Sequence, residues 1–262
     1  MADGRITYRV EDGLAHLTIA QPARMNAMSF DMWASLPVLL AQAEADASVR
    51  AVVLAGEGER AFCSGADISQ FGEKRSGAAA VEAYEEAVSG GLAALSRGAK
   101  PSVALVRGVC FGGGLALALS CDLRLVAEGA RFRIPAARLG LGYAYANVEM
   151  MVQRLGPGAT ADILLSARGF DAAEALRLGV ATKVWPAAGF LAESAEYLAG
   201  LAANAPLTLR AIKLALNELA RPESQRDVGL AARAVQDCFD SEDYEEGRRA
   251  FAEKRAPAFK GR

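Results

Sequence analysis

The chain has 262 residues, 52% hydrophobic and 23% charged, with 29 Lys and Arg against 31 Asp and Glu for a net charge of −2. That composition suits a globular chain able to bury a sizeable core, and it excludes a disordered tract or the basic block of a nucleic-acid binder. No apolar run approaches the roughly 20 residues of a membrane span, and the start Met1-Ala2-Asp3-Gly4-Arg5 lacks a signal-peptide core.

Residues 6–10 and 14–19 predict two strands joined by Glu11-Asp12-Gly13, a hairpin signal. The single histidine, His16, shares a strand face with Leu14 and Thr18, opposite Ala15, Leu17 and Ile19. It reads as a strand-face residue, which disfavours histidine zinc sites and Ser-His-Asp or Cys-His machinery. A loop over residues 21–28 follows. Ser29 can cap a helix running to Ala47, and Pro37 is expected to kink or split it. Residues 51–55 read as a buried strand.

Gly56 to Ala61 fits G-x-G-x-x-A, but Glu57 and Glu59 would face a pyrophosphate and no helix opens there, so a surface turn is the better reading. Phe62-Cys63-Ser64-Gly65-Ala66-Asp67-Ile68 is a second glycine turn. Ser64 lacks a G-x-S-x-G frame, and Cys63 has no activating cation beside it, so neither reads as a nucleophile. The four cysteines, Cys63, Cys110, Cys121 and Cys238, show no C-x-x-C spacing. Reduced, mostly buried thiols in a cytoplasmic protein are expected.

A helix is predicted over residues 78–96 and a strand over 102–106. Gly112-Gly113-Gly114 then opens the apolar run Leu115 to Leu119. Leu115 stands where a P-loop needs lysine. Two readings of this triplet stand side by side. Glycines let a helix pack closely on a strand, and a helix N-terminus holds an oxygen that carries negative charge. Further strands are expected at residues 123–127, 132–134 and 182–185. Helices are expected at 147–155, after Gly158, and from Asp171 as N-cap to Leu178 with Gly179 closing it. Helical periodicity continues over 188–203, 207–220, 223–239 and 242–254. The order is βα units and then a helical tail.

Phe62-Cys63-Ser64-Gly65-Ala66-Asp67, Lys100-Pro101, Gly112-Gly113-Gly114, Cys121-Asp122 and the stretch from Asp171 to Val180 resemble the enoyl-CoA hydratase/isomerase (crotonase) family, in its order and spacing and over nearly the whole chain. The resemblance implies an α/β fold, a spiral of ββα units over residues 1–195. It also implies a C-terminal helical segment over 196–262 that forms a homotrimer or dimer of trimers and covers the CoA site. The implied ligand is an acyl-CoA substrate, with no cofactor beyond its coenzyme A, no metal, no nucleic acid and no membrane. The family's oxyanion hole would fall on the backbone N–H groups of Ala66 and Gly113, suited to a thioester oxygen that gains charge. Ala23, Arg24, Ala66, Asp67 and Ile68 would line the CoA path, and Phe251 and Lys254 would reach CoA from the last helix. A solvated surface charge is the competing reading of Arg24 and Lys254.

Against that pattern the chain departs at both carboxylates. The family's hydratases use two glutamates to activate water. Ala116 and Ala136 stand at those positions, so two-glutamate hydration is disfavoured. Tyr143, Tyr145, Glu149 and Arg138 remain for proton or carboxylate chemistry, with a wall of the acyl pocket the favoured reading of both tyrosines. Asp122 reads as structural. Three functions stay open: enolate chemistry without the usual glutamates, decarboxylation among it; slow hydration or isomerisation; and CoA-thioester binding without catalysis.

Overall fold

A computed structural model describes residues 4–67 and 78–262. Ile68, expected on the CoA path, lies outside the described residues. The chain opens with β1 (Arg5–Glu11) and β2 (Leu14–Ala20), an antiparallel hairpin. Asp12 and Gly13 both take positive φ, 50° and 76°, which is what a two-residue turn needs to match strand twist. Helix α1 (Phe30–Ala45) starts where Ser29 Oγ accepts from Met32 N at 3.2 Å. Pro37 does not split α1, which runs unbroken from Phe30 to Ala45. Half-buried on a helix whose Met32, Trp33, Leu36 and Leu40 are buried, it loses one backbone bond that tertiary packing outweighs.

From there a unit repeats. A strand joins one sheet, a short strand joins a second, and a helix follows. β3 (Ala51–Gly56) and β4 (Ala61–Cys63) precede α2 (Ala78–Arg97); β5 (Ser102–Val106) and β6 (Val109–Phe111) precede α3 (Gly113–Ser120). β7 (Leu123–Ala127) and β8 (Arg131–Arg133) precede α4 (Ala136–Leu139) and α5 (Tyr145–Ser166). Then come β9 (Phe170–Asp171), α6 (Ala172–Arg177) and β10 (Lys183–Trp185). The first sheet runs β1-β2-β3-β5-β7-β10 and the second β4-β6-β8-β9, parallel except at β1-β2 and β8-β9. This is the ββα spiral.

Parallel strands covered on both faces are apolar on both. Val52 and Leu54 face the main core with Trp33, Phe62 and α3; Ala51 and Val53 face a second cluster with Phe190 and Leu198. Gly114 to Ser120 are all buried, so α3 is a core helix apolar all round. His16 is half-buried on its strand face, and desolvation, then Arg9, hold its pKa below the ordinary value.

α5 turns sharply at Gly156 (φ 78°, ψ 165°) before Pro157, which divides it into the two helices expected there. Asp171 caps α6, accepting from Glu174 N at 2.9 Å, and Gly179 closes it at φ 76°. The tail holds α7 (Phe190–Ala202), α8 (Pro206–Leu219), α9 (Val228–Phe239) and α10 (Glu242–Glu253). The boundary expected at 195/196 falls inside α7. Through Phe190 and Leu198, α7 packs on the first sheet. The helix expected over 223–239 begins only at Val228, where Asp227 caps Leu230 N at 2.7 Å. Among the described residues no helix is long and apolar enough to cross a membrane.

Candidate active site

The site is assembled from two loops laid side by side. After β2, Met25 and Asn26 both take left-handed backbone, φ 54° and 55°. Such residues persist only where the surroundings hold them. Asn26 supplies that hold: its Oδ1 accepts from Gln21 N at 3.1 Å, and its Nδ2 donates to Glu57 O at 3.0 Å and Ala61 O at 2.7 Å. The turn after β4 is then stitched onto this loop. Ser64 N donates to Met25 O (3.0 Å), Met28 N to Gly65 O (2.8 Å) and Asp67 N to Met28 O (2.9 Å). Side chains add to it. Arg24 Nη1 and Gln21 Nε2 both donate to Asp67 Oδ2, at 2.7 and 3.1 Å. Asp67 is buried, while Ala23 and Arg24 stay exposed.

The bonds to Met28 use the carbonyl of Gly65 and the N–H of Asp67. In a parallel bridge of that kind, the N–H of the residue between them faces the other way. The Ala66 N–H is therefore turned from Met28 and makes no backbone bond among the described residues.

The three glycines of α3 have three separate reasons. Gly112 adopts φ 51°, ψ −119°, a conformation side chains oppose, with open space around it. A methyl on Gly114 would stand 2.2 Å from Cys63 O, so only glycine lets α3 lie on β4. Gly113 is the first residue of α3, and its N–H has no helical acceptor. A methyl on Gly113 would stand 3.8 Å from the Ala66 nitrogen and 3.4 Å from Trp33 Cζ2. Two amides without acceptors among the described residues thus lie side by side at a helix N-terminus, where the dipole favours an oxygen carrying negative charge. The packing reading holds at Gly114.

Ala116 is buried in α3, and Ala136 is half-buried at the start of α4. Tyr143 packs against the same core cluster; its hydroxyl is buried without an acceptor among the described residues, and burial pushes its pKa up to about 12. It is a neutral donor at ordinary pH. Tyr145 (80% exposed), Glu149 and Arg138 lie at the surface of the chain. Phe251 is 88% exposed on α10, and Lys254 is that helix's C-cap at φ 52°. Cys63 is an inert thiol: burial pushes it up to about 12, and its Sγ accepts from Gly65 N at 3.4 Å. Asp122 is structural, bonded to Ser102 and Lys213.

Trp33 is the residue that sequence reading passed over. It is 1% exposed, and its Nε1–H has no acceptor among the described residues. Leaving such a donor buried costs about 1–3 kcal/mol. Periodicity marks it only as one more core position beside Met32 and Leu36.

The chain was compared with known proteins. A family model described as enoyl-CoA hydratase/isomerase matches residues 9–262. The short-chain-enoyl-CoA hydratase of Clostridium acetobutylicum is 30% identical over 94% of this chain and 93% of its own. The crotonyl-CoA hydratase of Syntrophomonas wolfei is 31% identical over 99% of each. A crystal structure of an enoyl-CoA hydratase/carnithine racemase from Magnetospirillum magneticum superposes with a TM-score of 0.91 at 33% identity, covering 98% of this chain and 96% of that one. The chain belongs to the enoyl-CoA hydratase/isomerase family.

Proposed function

We propose that this chain binds an acyl-CoA thioester and stabilises its enolate, with the thioester oxygen held by the N–H groups of Ala66 and Gly113. The observation that supports this best is the meeting of those two amides at the start of α3. Such a hole acts where charge develops, and each donor is typically worth on the order of 10²–10³ in rate. The relatives' names point to the same ligand class.

In this reading the proton chemistry differs from two-glutamate hydration. Ala116 and Ala136 can neither take nor give a proton. Of the four candidates Tyr143, Tyr145, Glu149 and Arg138, only Tyr143 holds its polar group inside. Loss of CO₂ from a 2-carboxyacyl thioester fits this set: the C–C bonding pair becomes the enolate without a base, and the α-carbon then takes the Tyr143 proton, which solvent restores. Hydration or isomerisation at a low rate is the second reading, favoured by the hydratase names of the relatives. We place the CoA nucleotide along Ala23, Arg24 and Asp67, with Phe251 and Lys254 approaching from α10. The chain requires no cofactor beyond the substrate's coenzyme A. Exposed Ile212, Leu216, Val235 and Phe239 support trimer formation through the tail.

Calorimetry with acetyl-CoA, loss of the crotonyl-CoA chromophore, and CO₂ release from methylmalonyl-CoA test this together. Binding, crotonyl-CoA turnover below about 1 per second and faster CO₂ release are expected. Crotonyl-CoA turnover above that value would overturn the claim about the missing carboxylates. Binding without turnover of either thioester would leave a non-catalytic binder. If no CoA thioester binds, the whole reading fails.

A further inference from the structure

The strand that leads to Ala66 is short and irregularly paired. Ala61 of β4 pairs with Val109 and Cys63 with Cys110, so β4 advances two residues where β6 advances one, a bulge at Phe62. Three residues with one bulge leave the register to be set from elsewhere. N–H groups along an extended strand point alternately to opposite sides, so a slip of one residue past β4 would turn the Ala66 N–H to the other side.

One loop grips β4 at both ends. At the start of the strand, Asn26 Nδ2 donates to Ala61 O at 2.7 Å, and it also donates to Glu57 O at 3.0 Å. Beyond the end of the strand, Met25 O accepts from Ser64 N, and Met28 bonds Gly65 O and Asp67 N on either side of Ala66. Asn26 is 1% exposed, and its Oδ1 accepts from Gln21 N, so the carboxamide joins three separate stretches of backbone. Gly56 makes room for it. A methyl on Gly56 would stand 2.7 Å from Asn26 Nδ2 and 2.3 Å from Ala61 O. The first glycine of the G-x-G-x-x-A stretch is therefore the seat of this carboxamide. We propose that Asn26 is a positioning residue of the oxyanion site: by holding Ala61 O it sets the register of β4, and through that register the direction of the Ala66 N–H. The inference rests on the oxyanion reading above and adds the side chain on which one of its donors depends. The backbone of Asn26 is a separate matter. It is left-handed at φ 55°, a conformation glycine adopts freely, so Asn26→Gly removes the carboxamide and keeps the backbone.

The thioester para-dimethylaminocinnamoyl-CoA reads the hole directly. Its conjugated chromophore absorbs further to the red when hydrogen bonds draw electron density onto the thioester oxygen. Wild-type protein is expected to red-shift it on binding. Asn26→Gly should bind acetyl-CoA as wild type does and lose most of the red shift. On any thioester that wild type turns over, its kcat should fall on the order of 10²–10³ with KM unchanged, the loss of one hole donor. Asn26→Asp, equal in size but with a carboxylate that cannot donate to either carbonyl, should behave likewise. A variant that melts at a lower temperature yet keeps the full red shift would make Asn26 a structural residue only and overturn the proposal. If neither variant folds, the carboxamide serves the fold at large, and the proposal is overturned as well. If wild type binds acetyl-CoA and the chromophoric thioester without a red shift, or binds neither, the oxyanion reading itself fails and this inference with it. If the shift appears in wild type and persists in both variants, that reading stands and only the role of Asn26 falls.

Discussion

Lys213 of α8 and Asp122, the residue before β7, form a buried ion pair that ties the C-terminal helices to the parallel sheet. Lys213 is 3% exposed and Asp122 16%. The other carboxylate oxygen accepts from Ser102 N at 2.9 Å and Ser102 Oγ at 3.1 Å. Nearby, Asn217 Nδ2 of α8 donates to Arg97 O at 3.1 Å. Charge, desolvation and hydrogen bonds are here in one network, so removing one member leaves the others unpaired.

Lys213→Met should therefore destabilise by about 3–5 kcal/mol, the cost of a buried charge that has lost its partner. Lys213→Met combined with Asp122→Asn should recover much of that loss. Denaturant unfolding of the two singles and the double, read as a cycle, checks it. Additive losses would show that the pair does not act as a unit.

The glycines of α3 predict a graded series. Gly114→Ala should abolish soluble folded protein, because its methyl would enter the Cys63 carbonyl. Gly112→Ala should fold with a loss of about 1–3 kcal/mol, since the space is open and only the backbone conformation opposes it. Expression yield and thermal unfolding separate them. Equal outcomes would refute the division of roles.

Tyr143→Phe should move stability and activity in opposite directions. Removing a buried hydroxyl that has no acceptor should leave stability unchanged or raise it by up to about 1 kcal/mol. If Tyr143 is the proton donor, kcat on the thioester the enzyme turns over should fall on the order of 10²–10⁴. Unaltered kcat would make Tyr143 a wall of the pocket.

Acid should loosen the tail. Arg255, the Ala258 N–H and Arg249 hold the Glu246 carboxylate well below its ordinary value of 4.5. A depressed carboxylate gives stability that is complete above that ordinary value and is lost as pH falls through it toward the folded one. Thermal unfolding of wild type should drop over that window, and Glu246→Gln should flatten the drop. A variant with the same acid slope would remove Glu246 from the account.

Local chemistry alone determined much of this protein. The Asp12-Gly13 turn, the Ser29 and Asp171 caps, the Gly179 stop and the βα order were legible because each depends on a few neighbouring residues. The two glycine turns pointed to the family only together with Lys100-Pro101, Cys121-Asp122 and the stretch from Asp171 to Val180, in their order and spacing. Tertiary structure decided the rest, since burial and close approach join residues far apart in sequence. Pro37 was tolerated because a buried helix face outweighs one backbone bond. β4, β6 and β9 are too short to carry a period of their own and exist through their pairing. Tyr143 and Tyr145, two residues apart, part into a buried hydroxyl and a surface ring. Gly112, Gly113 and Gly114 look alike in the sequence; a backbone angle, a helix-terminal amide and the Cys63 carbonyl tell them apart, and that carbonyl belongs to β4, some fifty residues earlier in the chain.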